Sequence, residues 1–368
     1  SKCIYNKTGK QPVAIGYLER FAADFARENS DNNATDTPAA TSNGIKIAVV
    51  GSGPASLSFA GDMVRKGYSV HVFEALHEIG GVLKYGIPEF RLPNDIVDYE
   101  IEQLRRAGVE FTPDIVVGKT LSYDDLKEQG YRGIFVASGA GLPRFMDIPG
   151  ENYIGVMSSN EYLTRVNLMG AGRQGWKTPV IKGKRVAVIG GGNTAMDSCR
   201  TARRMGAEEV YIVYRRSEAE MPARVEEVHH AKQEGVTFLT LHNPVEYLAD
   251  ENGRVRAMRL QRMELGEPDA SGRRSPVPVE GDIVEVPVDE VIVSVGVSPN
   301  PLIPSTIPGL ETTRRGTIVA DEATLETTVP MLFAGGDIVR GGATVILAMG
   351  DGRRAAAAMD RALSQHDI

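Results

Sequence analysis

An α/β fold made of two parallel-sheet units, one inserted into the other, is what the sequence predicts, and three observations predict it. The run IKIAVV (residues 45–50) leads through a glycine turn and a helix to a second apolar run, SVHVFEA (69–75). About 140 residues later the pattern recurs: RVAVIGGG (185–192) leads into a helix expected over Thr194 to Gly206 and then to VYIVYRR (210–216). Further strand signals follow the second unit, at VDEVIVSVG (288–296) and MLFAGGD (331–337), ahead of a last helix ending near Leu363. Strands buried on both faces read as continuous apolar runs, which is the signature of parallel sheets covered by helices.

Taken in order, the chain opens with a short helix expected over Ala14 to Glu28, then a polar stretch from Asn29 to Gly44 with little to bury. Residues 1–44 are therefore an arm and linker. The first unit is expected over 45–152, the inserted unit over 153–294, and the remainder of the first unit over 295–368. The stretch Gly266 to Gly281 sits between strand-like runs and is expected to be a hairpin tip.

Length and composition agree with this plan. A chain of 368 residues with 42% hydrophobic content builds more than one core. The net charge of -7, with charges interspersed, argues against nucleic acid as a partner. No segment reaches the roughly 18 consecutive apolar residues of a membrane span, and no secretory pattern opens the chain, so a cytoplasmic protein with no membrane partner is expected. The two cysteines, Cys3 and Cys199, form no CxxC pair, and the six histidines show no metal-ligand spacing. His229 and His230, adjacent on an expected helix, point to different sides and read as solvated.

The two glycine turns carry the chemistry. In the first, Gly51-Ser52-Gly53-Pro54-Ala55-Ser56, Gly51 permits the tight turn and Gly53 lets the backbone approach a pyrophosphate at the start of the next helix. Ser56 takes the sixth position, where Gly or Ala is usual. Glu74, about 20 residues on at a strand end and followed by Ala75, is placed to accept bonds from ribose hydroxyls. The second turn, Gly190-Gly191-Gly192-Asn193-Thr194-Ala195, leads to a strand that ends Arg215-Arg216 with no acid. Two guanidiniums there suit a 2′-phosphate, so NADP is preferred over NAD. Both units are thus Rossmann-like dinucleotide-binding domains.

With these residues in view, the chain resembles the small (β) subunit of NADPH-dependent glutamate synthase and its kin among flavoproteins with two dinucleotide-binding domains. The likeness rests on GSGPASL, GGVLKYGIPEFRLP (80–93), FVASGA (135–140), GGGNTAMD, VYRRSEAEMPA, and FAGGD with GGATVILAMGDGRRAA. It implies that the first domain holds FAD and the inserted domain NADPH. It also implies flavin contacts from the segment around Gly81, Val82, Leu83, Ile87 and Pro88, from Ala137, Ser138 and Gly139, and from Gly296, Gly336 and Asp337. The turn Ala348 to Gly352, with Met349 and Gly350, is expected to aim its N–H groups at the flavin's pyrimidine side, where charge accumulates on reduction.

Residues 3–20 (CIYNKTGKQPVAIGYLER) resemble the end of that family's iron–sulfur domain, in which Cys3 would be a cluster ligand. A cubane cluster takes four thiolates, so a [4Fe-4S] cluster is expected only in an intact polypeptide that this chain enters partway. By the same resemblance the chain accepts a hydride from NADPH and passes electrons to a large subunit that makes glutamate from glutamine and 2-oxoglutarate. Hydride transfer needs orientation rather than a protein acid or base, so no catalytic side chain is expected. The alternatives are related complexes of the ferredoxin:NADP oxidoreductase, sulfide dehydrogenase or pyrimidine reductase type, or a subunit whose flavin is structural. A disulfide reductase is disfavoured because it needs a redox dithiol.

Overall fold

The structure is a computed structural model that describes residues 3–29 and 40–365. Residues Ser1–Ala39 form one unit and Ala40–Ile368 another. The first contains α1 (Ile4–Lys7) and α2 (Ile15–Asn29), one residue displaced from the expected helix. Its exposed Leu18, Phe21 and Phe25 recur at helical spacing. The expected linker lies for most of its length outside the described residues.

Within the second unit the chain lays down β1 (Lys46–Val50), β2 (Ser69–Phe73), β3 (Glu110–Thr112) and β4 (Tyr131–Val136), then leaves through β5 (Leu142–Pro143). It forms β6 (Val156–Ser158), β7 (Arg185–Ile189), β8 (Glu209–Tyr214) and β9 (Thr237–Thr240), then a meander of β10 (His242–Ala249), β11 (Val255–Pro268) and β12 (Arg274–Pro287), and then β13 (Glu290–Val293). It returns through β14 (Val297–Ser298) and closes with β15 (Leu332–Ala334). The intervening helices are α3 (Pro54–Val64), α4 (Val82–Tyr85), α5 (Asn94–Arg106), α6 (Tyr123–Glu128), α7 (Ser159–Leu163), α8 (Asn193–Arg204), α9 (Val225–Gln233), α10 (Leu302–Thr306), α11 (Asp337–Arg340) and α12 (Val345–Gln365).

The first sheet has the order β15-β4-β1-β2-β3 and the second β6-β13-β7-β8-β9, every pairing parallel. The second sheet lies wholly between the strands of the first in sequence, so one Rossmann-like unit is inserted into the other, as the sequence predicts. The two crossings pair with each other: Leu142 lies opposite Ser298 and Pro143 opposite Val297 in an antiparallel ribbon.

Alternation along β1 divides the first sheet's core. Ile47 and Val49 face α3 and α12 with Phe59, Phe135 and Met359, while Ala48 and Val50 face Leu126, Ile303 and Ile338. The Phe59 and Phe135 rings stack at 4.4 Å, each side chain contributing about 2–3 kcal/mol by burial. Gly352 sets the α3–α12 approach, because a Cβ there would lie 2.2 Å from the Ala55 carbonyl oxygen. In the second sheet Val186, Val188 and Ile212 pack on Met196 and Cys199 of α8, and the opposite face is covered by Tyr247, Met258 and Leu260 of the meander.

Two local expectations change. The strands β11 and β12 stay paired past Gly266 as far as Pro268 and Arg274, so the hairpin tip shrinks to 269–273, where Asp269 caps the turn. The register shifts between Leu265 and Pro268, around Gly266, but the pairing resumes at Pro268 rather than ending there. The last helix begins at Val345 rather than after a turn at Ala348 to Gly352, because no residue between Thr344 and Gly352 halts it, and Gly352 serves packing instead.

Candidate dinucleotide-binding cleft

The two glycine turns are built alike. Gly51 has φ +94°, and a Cβ on it would meet the Ala137 carbonyl oxygen at 2.7 Å. Gly190 has φ +141°, and its Cβ would meet the Ser294 carbonyl oxygen at 2.3 Å. Each first glycine is therefore required by the fold itself, in a conformation that costs other residues about 1–2 kcal/mol. The glycines at the third position of each turn differ: among the described residues nothing lies within 4 Å of a Cβ on Gly53 or Gly192. Both are helix N-caps, on α3 and α8, and neither helix start has a side-chain cap on its amides. Clearances of this kind fit a diphosphate at each turn.

Glu74 is buried at the first turn, where its Oε2 accepts from the Ser52 amide at 2.8 Å and the Ser52 hydroxyl at 2.5 Å, and its Oε1 from the Leu76 amide at 2.9 Å. The Ser52 Oγ also accepts from the Gly80 amide at 2.9 Å. This tie brings the Gly80–Gly81 loop onto the turn, where a Cβ on Gly81 would lie 2.9 Å from the Gly53 Cα. The second strand end is asymmetric. Arg215 is exposed, whereas the Arg216 guanidinium is buried and bonded to Asp269 at 2.6 Å and to the Arg274 carbonyl at 2.8 Å.

Both turns open on one cleft of about 2060 Å3, well above the roughly 300–1,000 Å3 of a site for one small molecule. Its lining includes Gly51, Ser52, Gly53, Pro54, Ala55, Glu74, Ala75, Gly81, Val82, Ile87, Ala137, Ser138, Gly139, Gly190, Gly191, Gly192, Asn193, Thr194, Arg215, Arg216, Gly296, Gly336, Asp337 and Ala348. Four expected residues are not brought to it. Leu83 packs against Ile79, Val97 and Ile101, and Pro88 is buried. Met349 and Gly350 lie past the helix start, and the residues of that segment that do line the cleft include Thr344, Val345 and Ile346.

Charged groups around the cleft are held by partners the motifs do not reveal. Asp351, fully buried, accepts from Gly336 N at 3.0 Å, from Arg340 at 2.6 and 2.7 Å, and from Arg354 at 2.6 Å. Burial pushes its carboxyl up, but these donors outweigh it and hold it below the ordinary range. That clamp fixes the turn carrying Asp337, whose own carboxyl burial raises. Tyr85, on the cleft wall, is pushed up to about 12 by burial, with Asp337 and Glu74 adding to it. Cys199 is fully buried in α8 and burial pushes its thiol far up, so it is no poised thiolate. Among the described residues no group of three or more His, Cys, Asp or Glu is arranged to hold a metal ion, and no helix is long and apolar enough to cross a membrane.

Residues 45–357 match the family described as pyridine nucleotide-disulphide oxidoreductase. The chain belongs to that family. It is accordingly a pyridine-nucleotide-dependent flavin oxidoreductase. Among curated relatives it is 42% identical over 362 residues to the NADP(+)-dependent formate dehydrogenase subunit beta of Moorella thermoacetica, covering 98% of this chain but 49% of that protein, about half its length. It is 36% identical over 360 residues to the glutamate synthase [NADPH] small chain of Azospirillum brasilense, covering 96% of this chain and 73% of that one. The likeness to glutamate synthase small chains drawn from the motifs thus holds over nearly the whole sequence. Among solved structures, Mycobacterium tuberculosis FprA in complex with NADPH superposes with a TM-score of 0.73 at 21% identity, over 88% of this chain and 85% of that one, which concerns the fold alone.

Proposed function

We propose that the chain carries FAD, takes a hydride from NADPH, and passes the electrons on as the electron-input subunit of a glutamate synthase. One observation carries the reading: two helix starts, each behind a glycine whose missing side chain leaves the approach open, face a single cleft. In this reading residues 45–152 and 295–368 form the flavin domain and 153–294 the nicotinamide domain. Bound FAD supplies the redox chemistry, acceptance of a hydride and onward transfer of electrons.

The chain's own residues bind and orient. Amides at the start of α3 and the Gly53 opening would hold the flavin's diphosphate, with Glu74 at the ribose and Asp337 near the ribityl end. Amides at the start of α12 would donate where reduction places negative charge. At the second turn the α8 amides and Arg215 would hold the nicotinamide dinucleotide, its 2′-phosphate favouring a cation over the usual acid. No side chain is required as a proton donor or acceptor.

Anaerobic mixing with NADPH tests the core of this: flavin absorbance near about 450 nm should bleach, and an unbleached flavin would refute electron input. Adding a glutamate synthase large subunit tests the acceptor, since glutamate should then form from glutamine and 2-oxoglutarate. The 42% match to a formate dehydrogenase subunit favours a second reading, the same chemistry serving another complex. Ferredoxin:NADP oxidoreductase, sulfide dehydrogenase and pyrimidine reductase types belong to that reading, and bleaching without glutamate formation would select it.

A further inference from the structure

Arg215 and Arg216 are neighbours in sequence and do different things in the fold. Arg215 is exposed on the cleft wall. Arg216 is 6% exposed, and its fork is occupied: Nη2 donates to Asp269 Oδ2 at 2.6 Å and Nε to the Arg274 carbonyl at 2.8 Å. Asp269 belongs to the tip of the β11–β12 hairpin and Arg274 opens β12 beside it, both more than 50 residues away in sequence. The other oxygen of Asp269 accepts from the Ser271 amide at 2.8 Å, the Ser271 hydroxyl at 2.5 Å and the Arg273 amide at 3.3 Å. The Ser271 Oγ in turn accepts from Arg273 Nε at 3.0 Å. The tip is therefore one hydrogen-bonded knot, fastened to the end of β8 by Arg216, and Arg273 within it lines the same cleft as Arg215.

An arginine whose charge is paired and whose donors are spent on a carboxylate and a carbonyl is a poor ligand for a second anion. Among the described residues the Arg273 guanidinium donates through Nε alone, which leaves its terminal nitrogens available to an incoming phosphate. A hairpin tip holds such a group in place only if something pins it, since ordering a loose loop on binding subtracts from affinity. The acid that would repel a 2′-phosphate is present here, as Asp269, but it arrives from the hairpin and is matched by Arg216.

We infer that the hairpin tip is part of the nicotinamide dinucleotide site: Arg273 joins Arg215 at the 2′-phosphate, and Arg216, through Asp269, is the positioning residue that holds Arg273 there. The inference rests on the NADPH reading above and adds the residues that select NADPH over NADH.

The test is calorimetric binding of 2′,5′-ADP and 5′-AMP to the flavin-loaded protein. The unaltered protein should prefer 2′,5′-ADP; if it does not distinguish the two, the NADPH reading fails and the inference with it. Arg273→Ala should weaken 2′,5′-ADP about tenfold, the scale of one charge-assisted hydrogen bond, leave 5′-AMP unchanged, and be partly rescued by Arg273→Lys. Unchanged 2′,5′-ADP affinity in a protein that still discriminates would overturn the inference alone. Asp269→Ala gives a test by sign. If Arg216 were itself the phosphate ligand, deleting its carboxylate partner would tighten 2′,5′-ADP; a positioning role requires it to weaken, with 5′-AMP binding showing that the rest of the site is intact.

Discussion

Arg91 Nη1 lies 2.7 and 2.8 Å from the two carboxylate oxygens of Asp197, joining the loop after α4 in the first Rossmann-like unit to helix α8 of the second. Burial pushes the Asp197 carboxyl up to about 6 even with Arg91 beside it. Arg91 Nε also reaches Glu227 at 3.3 Å, and Phe90 alongside is capped by the guanidiniums of Arg200 and Arg204. Replacing Arg91 leaves a buried carboxylate without its main partner, so Arg91→Ala should cost about 3–5 kcal/mol in urea unfolding. Pairing it with Asp197→Asn should recover part of that loss. Strictly additive losses in the double mutant would show that the pair is not coupled.

The two glycines of the first turn should separate folding from binding. Gly51→Ala places a Cβ 2.7 Å from the Ala137 carbonyl at φ +94°, and should lower stability by about 1–3 kcal/mol, measured on flavin-free protein. Gly53→Ala meets nothing in the fold, so it should leave that stability unchanged while reducing the flavin content of the purified protein. Full flavin occupancy in the Gly53 variant would remove this turn from the cofactor site.

Glu290, at the start of β13, is buried, with Oε2 accepting from Gly183 N at 2.9 Å and Oε1 without a hydrogen-bond partner among the described residues. Burial raises its carboxyl from 4.5 to about 7. A raised acid contributes stability that is fully present below about pH 4.5 and lost as pH climbs through about 7, where folding must bury a charge. Glu290→Gln should therefore stabilise by about 2 kcal/mol at pH 8 and change little at pH 4. An equal effect at both pH values in thermal melts would contradict this.

Arg215→Glu should raise the Michaelis constant for NADPH, spare that for NADH, and leave flavin content intact. Loss of flavin in this variant would mean that the two dinucleotide sites are assigned to the wrong units.

Much of this architecture was legible in the sequence because parallel strands buried on both faces write themselves as apolar runs, IKIAVV and RVAVI among them, each ended by glycines the backbone requires. What escaped was long-range. Nothing local to Arg91 announces Asp197, and nothing in VYRR tells which arginine is spent on Asp269. The start of α12 was misplaced because Gly350 and Gly352 look like a turn, whereas Gly352 is small so that two helices can touch at Ala55. Asp351 was passed over within GDGRR although it anchors the turn that carries Asp337.

The ribbon of Leu142–Pro143 against Val297–Ser298 has an evolutionary consequence. Opposed residues of an antiparallel pair sit only about 5 Å apart, so a short turn would bridge Pro143 to Val297 and excise everything between them. None of the five strands of the first sheet would change neighbours. A gene encoding this chain could thus trade its entire inner cassette at two junctions, after Pro143 and before Val297, that lie side by side in the fold.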